Sequence, residues 1–133
     1  MSRKKSMPDD VKEACIAIVK GYERRRTTYV AERGAMIHNE AGLQAEEVAR
    51  KLRVLEDLPE TRRMRAVENS LESIGADLTE DQRSRLSRAI YSSCVAGREY
   101  PFERLGIDGM EGSCFYARRR KFLEEIAMRM EMM

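Results

Sequence analysis

Apolar residues recur three and four positions apart along most of the chain, the spacing that lines up one face of a helix. The first run, Val11, Cys15, Ile18, Tyr22 and Tyr29 with Arg25 filling one slot, predicts a helix that starts near Pro8 and runs into the thirties. Pro8 suits a helix start, and the carboxylates of Asp9 and Asp10 oppose the positive end of the helix dipole. Ala41-Gly42 interrupts the pattern, and a second run, Ala45, Val48, Leu52 and Leu55, ends at Leu58-Pro59. These two segments fit either an antiparallel hairpin or an extension that pairs with a second copy of the chain as a homodimer. Met64, Val67, Leu71 and Ile74 predict a third helix, closed by Gly75 in a left-handed conformation. Thr79 with Gln82 three residues on is a capping-box pair, announcing a fourth helix with Leu86, Ala89, Ile90 and Cys94 on one side and a stop near Gly97. Tyr100-Pro101-Phe102 opens a short fifth helix, Gly106 breaks it, and Ser113 starts the last. The expected architecture is all α: an N-terminal helical segment over residues 1–58, and a C-terminal helical bundle over residues 61–133 that contains a helix-turn-helix.

Composition agrees with this reading. The 133 residues suit one domain with a modest core, and 36% charged against 6% aromatic residues, with no Trp, favours helices with wet outer faces. No apolar run is long enough to span a bilayer, so no membrane partner is expected. Cysteines at 15, 94 and 114 leave one unpaired in any disulfide scheme, and no signal peptide precedes them, which points to a reducing cytoplasm. The single histidine, His38, has no second ligand at a metal-binding spacing, so neither metal nor cofactor is expected. The stretch Met128 to Met133 reads as a fraying amphipathic helix end.

A net charge of +2 is too small to make the whole molecule a polycation, so attraction to nucleic acid must come from clusters. Arg24, Arg25 and Arg26 form one; Arg62, Arg63 and Arg65 form another; both read as solvated helix faces. The third, Arg118, Arg119, Arg120 and Lys121, opens the final helix. Pro101 to Met130 has the order of a helix-turn-helix: Phe102 and Leu105 on a short helix, Ile107 in the turn, and Phe115, Phe122 and Ile126 facing back from a long basic helix. At 100° per residue, Phe115, Tyr116, Phe122, Leu123, Ile126, Ala127 and Met130 share one arc, and Ser113, Ala117, Arg120, Lys121 and Glu124 lie across from it. Ser113, Ala117, Arg120 and Lys121 are therefore the candidate DNA contacts, with Ser113 suited to cap the helix, Arg120 to pair with guanine and Lys121 to meet a phosphate or base. Arg118, at the boundary, is a candidate phosphate contact. Arg119 falls inside the apolar arc, where a charge needs a partner; Glu99, Glu103 or Asp108 would make it a structural brace. The plainer alternative is a small bundle with an arginine-rich outside.

The stretches Ala66-Val67-Glu68-Asn69-Ser70-Leu71-Glu72-Ser73-Ile74-Gly75, Ala89-Ile90-Tyr91-Ser92-Ser93-Cys94, Tyr100-Pro101-Phe102-Glu103 and Phe115-Tyr116-Ala117-Arg118-Arg119-Arg120-Lys121-Phe122-Leu123 resemble phage and prophage late-gene transcriptional regulators of the ArpU and RinA type. The C-terminal part of such proteins is similar to region four of a sigma factor, and the likeness covers residues 62 to 130. It implies binding to double-stranded promoter DNA, contact with RNA polymerase, and a recognition helix over Ser113 to Lys121. Glu111-Gly112 departs from the pattern by placing a carboxylate where these proteins often carry Ser or Arg. A different class of function, a protein-interaction module using the stripes Ile18 to Tyr29 and Val48 to Leu55, fits the same helices. No nucleophile with a base and no Gly-rich phosphate loop is present, so no enzymatic activity is expected.

Overall fold

The computed structural model describes residues 7–96 and 112–132. Among them are six helices and no strand: α1 (Asp9–Lys20), α2 (Tyr22–His38), α3 (Ala45–Asp57), α4 (Pro59–Ile74), α5 (Glu80–Ala96) and α6 (Gly112–Arg129). The expected short helix over 100–105 and the turn around Gly106 lie outside the described residues.

Helix α4 touches every other helix and divides the interior in two. Its first half contributes Met64 to a small cluster with Tyr29 of α2 and Leu55 of α3. Its second half contributes Val67 and Ile74 to the main core, with Cys15, Ile18 and Val19 of α1, Leu86, Ala89, Ile90 and Cys94 of α5, and Phe115, Phe122, Leu123, Ile126 and Ala127 of α6. The boundary expected between residues 58 and 61 therefore does not follow the packing. Helix α1 belongs with the C-terminal helices, because its apolar face is the one that completes their core.

The single long helix expected from Pro8 into the thirties is two helices. The chain turns at Gly21 (φ −85°, ψ −2°), and Arg25 folds back over that glycine to donate from Nη1 to the Ile18 carbonyl at 2.9 Å while its Nε meets Glu60 of α4 at 2.5 Å. A side chain at position 21 would collide with this guanidinium, since a Cβ there would lie 2.6 Å from Arg25 Nη1. One arginine thus satisfies an orphan carbonyl at the end of α1 and ties α2 to α4.

Helices α2 and α3 run back on each other through a turn in which Asn39, left-handed at φ 55°, exchanges two hydrogen bonds with the Leu43 backbone, both 2.9 Å. A polar seam then joins α2, α3 and α4. Tyr22 donates to Glu68 at 2.6 Å and Tyr29 donates to Glu56. Arg65 bonds Glu68 at 2.9 Å and the Tyr29 hydroxyl at 2.8 Å, lies 3.3 Å from Glu56, and has its guanidinium over the Tyr29 ring. The first two arginine clusters are therefore not simply solvated faces: Arg25, Arg26, Arg63 and Arg65 each meet a glutamate from α3 or α4.

The capping box forms as its residues require, with the Thr79 N–H donating to Gln82 Oε1 and the Gln82 N–H donating to Thr79 Oγ1, each at 3.2 Å. Gly75 departs from expectation. It ends α4 at φ −113°, ψ 12°, and its need for glycine is steric, because a Cβ would lie 2.6 Å from Arg83 Cγ.

Through Met132 the end of α6, expected to fray, is closed by backbone hydrogen bonds. Glu131 adopts φ 57°, its N–H donates to the Met128 carbonyl at 3.1 Å, and the Met132 N–H donates to the Ala127 carbonyl at 2.7 Å. That pair of bonds is a Schellman closure, and Met130 and Met132 pack against the main core beside it. A non-glycine residue in the left-handed region carries a penalty of about 1–2 kcal/mol. Glu131→Gly is accordingly expected to stabilise the fold by about 1 kcal/mol, read as a higher midpoint in urea; an unchanged or lower midpoint would contradict this account of the helix end.

Candidate nucleic-acid interface

Helix α6 is held by its apolar arc. Phe115, Phe122 and Ile126 are fully buried and Leu123 nearly so, Tyr116 and Met130 are half-buried, and the helix lies mainly against α4 and α1. The Phe115 and Tyr116 rings meet edge to face with centroids 5.1 Å apart. With that side immobilised, the opposite face is presented at fixed orientation. Ala117, Arg120 and Lys121 are exposed there, and Glu124 is half-buried. Ser113 falls in the first turn of α6, but its side chain lies outside the described residues.

The four consecutive cations have separate placements. Arg118, expected at a phosphate, is engaged inside the protein: its Nη1 and Nη2 bond the two Asp77 carboxylate oxygens at 2.9 Å each, and Nη1 also donates to the Ile74 carbonyl at 2.6 Å. Ile74 is the last residue of α4, so Arg118 satisfies an orphan carbonyl at that helix's negative end and locks α6 to it. Two of its nitrogens are thus paired within the chain, to a carboxylate that is itself 66% exposed. The same arrangement recurs in Arg25, which closes α1 and pairs with Glu60.

Arg119 turns inward. Its Nε donates to Ser93 Oγ of α5 at 2.5 Å, and Ser93 is buried. The partner seen is thus a hydroxyl; Glu99, Glu103 and Asp108 lie outside the described residues. Neighbouring Cys94 has its thiol pKa pushed up by burial, with the Arg119 charge acting in the opposite direction.

Arg120 has no partner among the described residues. Lys121 is 57% exposed, and its Nζ lies 3.9 Å from Glu125, which also stands 3.8 Å from Arg129. Glu125 is itself only 17% exposed, but at 3.9 Å the pair is at the outer limit of an ion pair and Lys121 keeps most of its ammonium group in solvent, open to a stronger anion.

Two residues at this site were not singled out by sequence reasoning. Asp77 positions α6 through Arg118, and no spacing rule joins residues 41 positions apart. Cys114 is exposed, and its position on the wheel, on the same side of the helix as Lys121, could have been read from the 100° periodicity. His38 is exposed at the end of α2, 3.4 Å from Glu40. Among the described residues no group of three His, Cys, Asp or Glu side chains could hold a metal ion, and no helix is long and apolar enough to cross a membrane.

The Arg118–Asp77 pair has a pH signature. Hydrogen bonding from Arg118, aided by Asp77's own backbone N–H, holds the Asp77 carboxyl at about 2, below its ordinary 3.8. A carboxylate whose folded pKa is depressed adds stability above its unfolded value, and that stability disappears as pH falls through the folded value. The melting temperature of Asp77→Asn should therefore lie below that of the wild type at neutral pH, and the gap should close between about pH 4 and pH 2. A gap that persists unchanged to pH 2 would assign the effect to something other than this ion pair.

Neither a family model, a curated protein nor a solved structure matches this chain. The functional reading rests on the geometry of α6 and on the sequence resemblance.

Proposed function

We propose that the protein is a sequence-specific regulator of transcription that binds double-stranded DNA through the outward face of α6. The observation that carries the reading is the division of labour within one basic run: Arg118 and Arg119 fix the helix to α4 and α5, while Arg120 and Lys121 project from it beside the small side chain of Ala117. A recognition helix needs both features. Its backbone must be held rigidly enough to set a register, and its first turns must offer cations flanked by residues small enough to let a groove approach. A merely solvated basic helix would have no need to fasten two of its four cations to neighbouring helices.

The resemblance to ArpU and RinA type regulators adds the expectation of promoter DNA and of RNA polymerase as a second partner. The decisive experiment is selection of bound duplexes from random-sequence DNA, followed by titration of the recovered duplex at several salt concentrations. Enrichment of a common motif, with affinity that falls steeply with salt, is the expected outcome. Recovery of no motif, together with affinity indistinguishable from that for bulk DNA, would remove sequence-specific regulation.

The alternative of a protein-interaction module through the stripes Ile18 to Tyr29 and Val48 to Leu55 has less to offer. Ile18, Tyr29 and Leu55 are buried within the chain, and Val48 and Leu52 are half-buried.

A further inference from the structure

A recess of about 560 Å³ opens where α2, α3 and α4 meet, and its wall includes Arg26, Tyr29, Arg33, Gly34, Glu56 and Arg65. That volume falls within the range of about 300–1,000 Å³ found for sites that hold small molecules. None of these residues belongs to α6. The charges in the recess do not cancel. Three guanidiniums stand against two carboxylates, Glu56 in the wall and Glu68, which pairs with Arg26 and Arg65. Arg65 commits its donors to Glu56, Glu68 and the Tyr29 hydroxyl. Arg26 reaches Glu68 only at 3.4 Å, and its side chain is 52% exposed. Arg33 is exposed, forms no hydrogen bond or ion pair among the described residues, and acts on Glu56 and Tyr29 through its charge alone. Gly34 is the second signal. It sits inside α2, where glycine is among the poorest helix formers, and a Cβ added there would meet nothing within 4 Å. No packing inside the chain requires glycine at this position; what the missing side chain does is keep the wall of the recess low beside Arg33.

We infer that this recess binds the diphosphate group of a small ligand, with Arg26 and Arg33 each taking one phosphate. Arg65, fixed by its carboxylates, adds its charge to theirs. A guanidinium presents a planar fork of donors that matches two phosphate oxygens, and in a partly enclosed recess such bonds are stronger than on an open surface. The two available forks stand two helical turns apart on α2, about 10 Å along its axis. A single oxyanion would meet one of them, whereas a diphosphate can engage both. Glu56 does not forbid an anion here, because its oxygens already accept from Tyr29 and Arg65. The phosphates of a DNA backbone share this chemistry, and the experiment separates the two sources.

The inference does not depend on DNA binding by α6. Isothermal titration of the full chain with pyrophosphate, at ionic strength held constant with sodium chloride, should show saturable binding. Arg26→Ala and Arg33→Ala should each weaken it at least about tenfold, since each removes charge-assisted hydrogen bonds to the ligand. Gly34→Leu should weaken it by narrowing the recess, and because leucine favours helix, circular dichroism should show the fold intact. Replacing Arg120 and Lys121 together by alanine should leave pyrophosphate affinity unchanged; its loss would put the anion on α6 and overturn the proposal. A wild-type chain that shows no saturable binding at millimolar pyrophosphate overturns it as well, and so does binding indifferent to Arg26→Ala and Arg33→Ala. If pyrophosphate fails to bind while the Arg26→Ala, Arg33→Ala double variant loses affinity for duplex DNA, these arginines serve the DNA backbone and the small-ligand site is refuted.

Discussion

Replacing Arg120 and Lys121 together by alanine is expected to lower affinity for the selected duplex at least about tenfold, because one guanidinium paired to guanine is worth about 1–3 kcal/mol of discrimination. The slope of log affinity against log salt should shrink by about 2, one unit for each cation removed from the phosphate field. The melting temperature should hardly move. Both side chains are exposed, Arg120 has no partner among the described residues and Lys121 has only a distant one, and surface changes of this kind stay within about 0.5 kcal/mol. Arg118→Ala should give the opposite pattern: a lower melting temperature, because the Ile74 carbonyl and Asp77 lose their donor, with an unchanged salt slope. Affinity and salt slope that are unaffected by the double change would end the assignment of α6 as the DNA-contacting helix. A salt slope reduced by Arg118→Ala would return that residue to the DNA-facing set.

Phe122→Ala is expected to destabilise the fold by about 3–5 kcal/mol, the cost of deleting a fully buried aromatic side chain and leaving a cavity. For a chain of this length the melting temperature should fall by about 10 °C or more. Phe122 sits in the core cluster that joins α1, α4, α5 and α6, so no single helix can move to fill the gap without loosening its packing elsewhere. Phe122→Leu keeps much of the volume and should cost well under half as much. Equal losses for the two variants would mean that the aromatic shape, not burial, sets the energy of this position.

Most of the secondary structure was legible because the signals are local. The stripe Leu86, Ala89, Ile90 and Cys94 is buried as its spacing demands, and the arc from Phe115 to Ala127 faces the core as the wheel places it. The Thr79–Gln82 box forms because both partners are three residues apart. Where expectation failed, the deciding contacts lie only a few residues apart but follow no spacing rule. Gly21 breaks the first helix with Arg25 folded over it, Gly75 makes room for Arg83, and the end of α6 closes through a left-handed Glu131 that no sequence rule favours.

By itself, the sequence determined the all-α class, the faces of the helices and the presence of a basic run in α6, which lies mid-helix and not at its start, because periodicity acts within a few residues along the chain. It placed Arg119 on the inward arc for the same reason. Only the tertiary structure decided that Arg118 is bound to Asp77 and to the end of α4, that Arg119 reaches Ser93, and that α1 completes the C-terminal core. Each of those contacts joins residues far apart in sequence. A guanidinium's partner is chosen by which carboxylate, hydroxyl or helix end the packed helices bring within about 3 Å, so the number of cations left facing outward is a property of the fold.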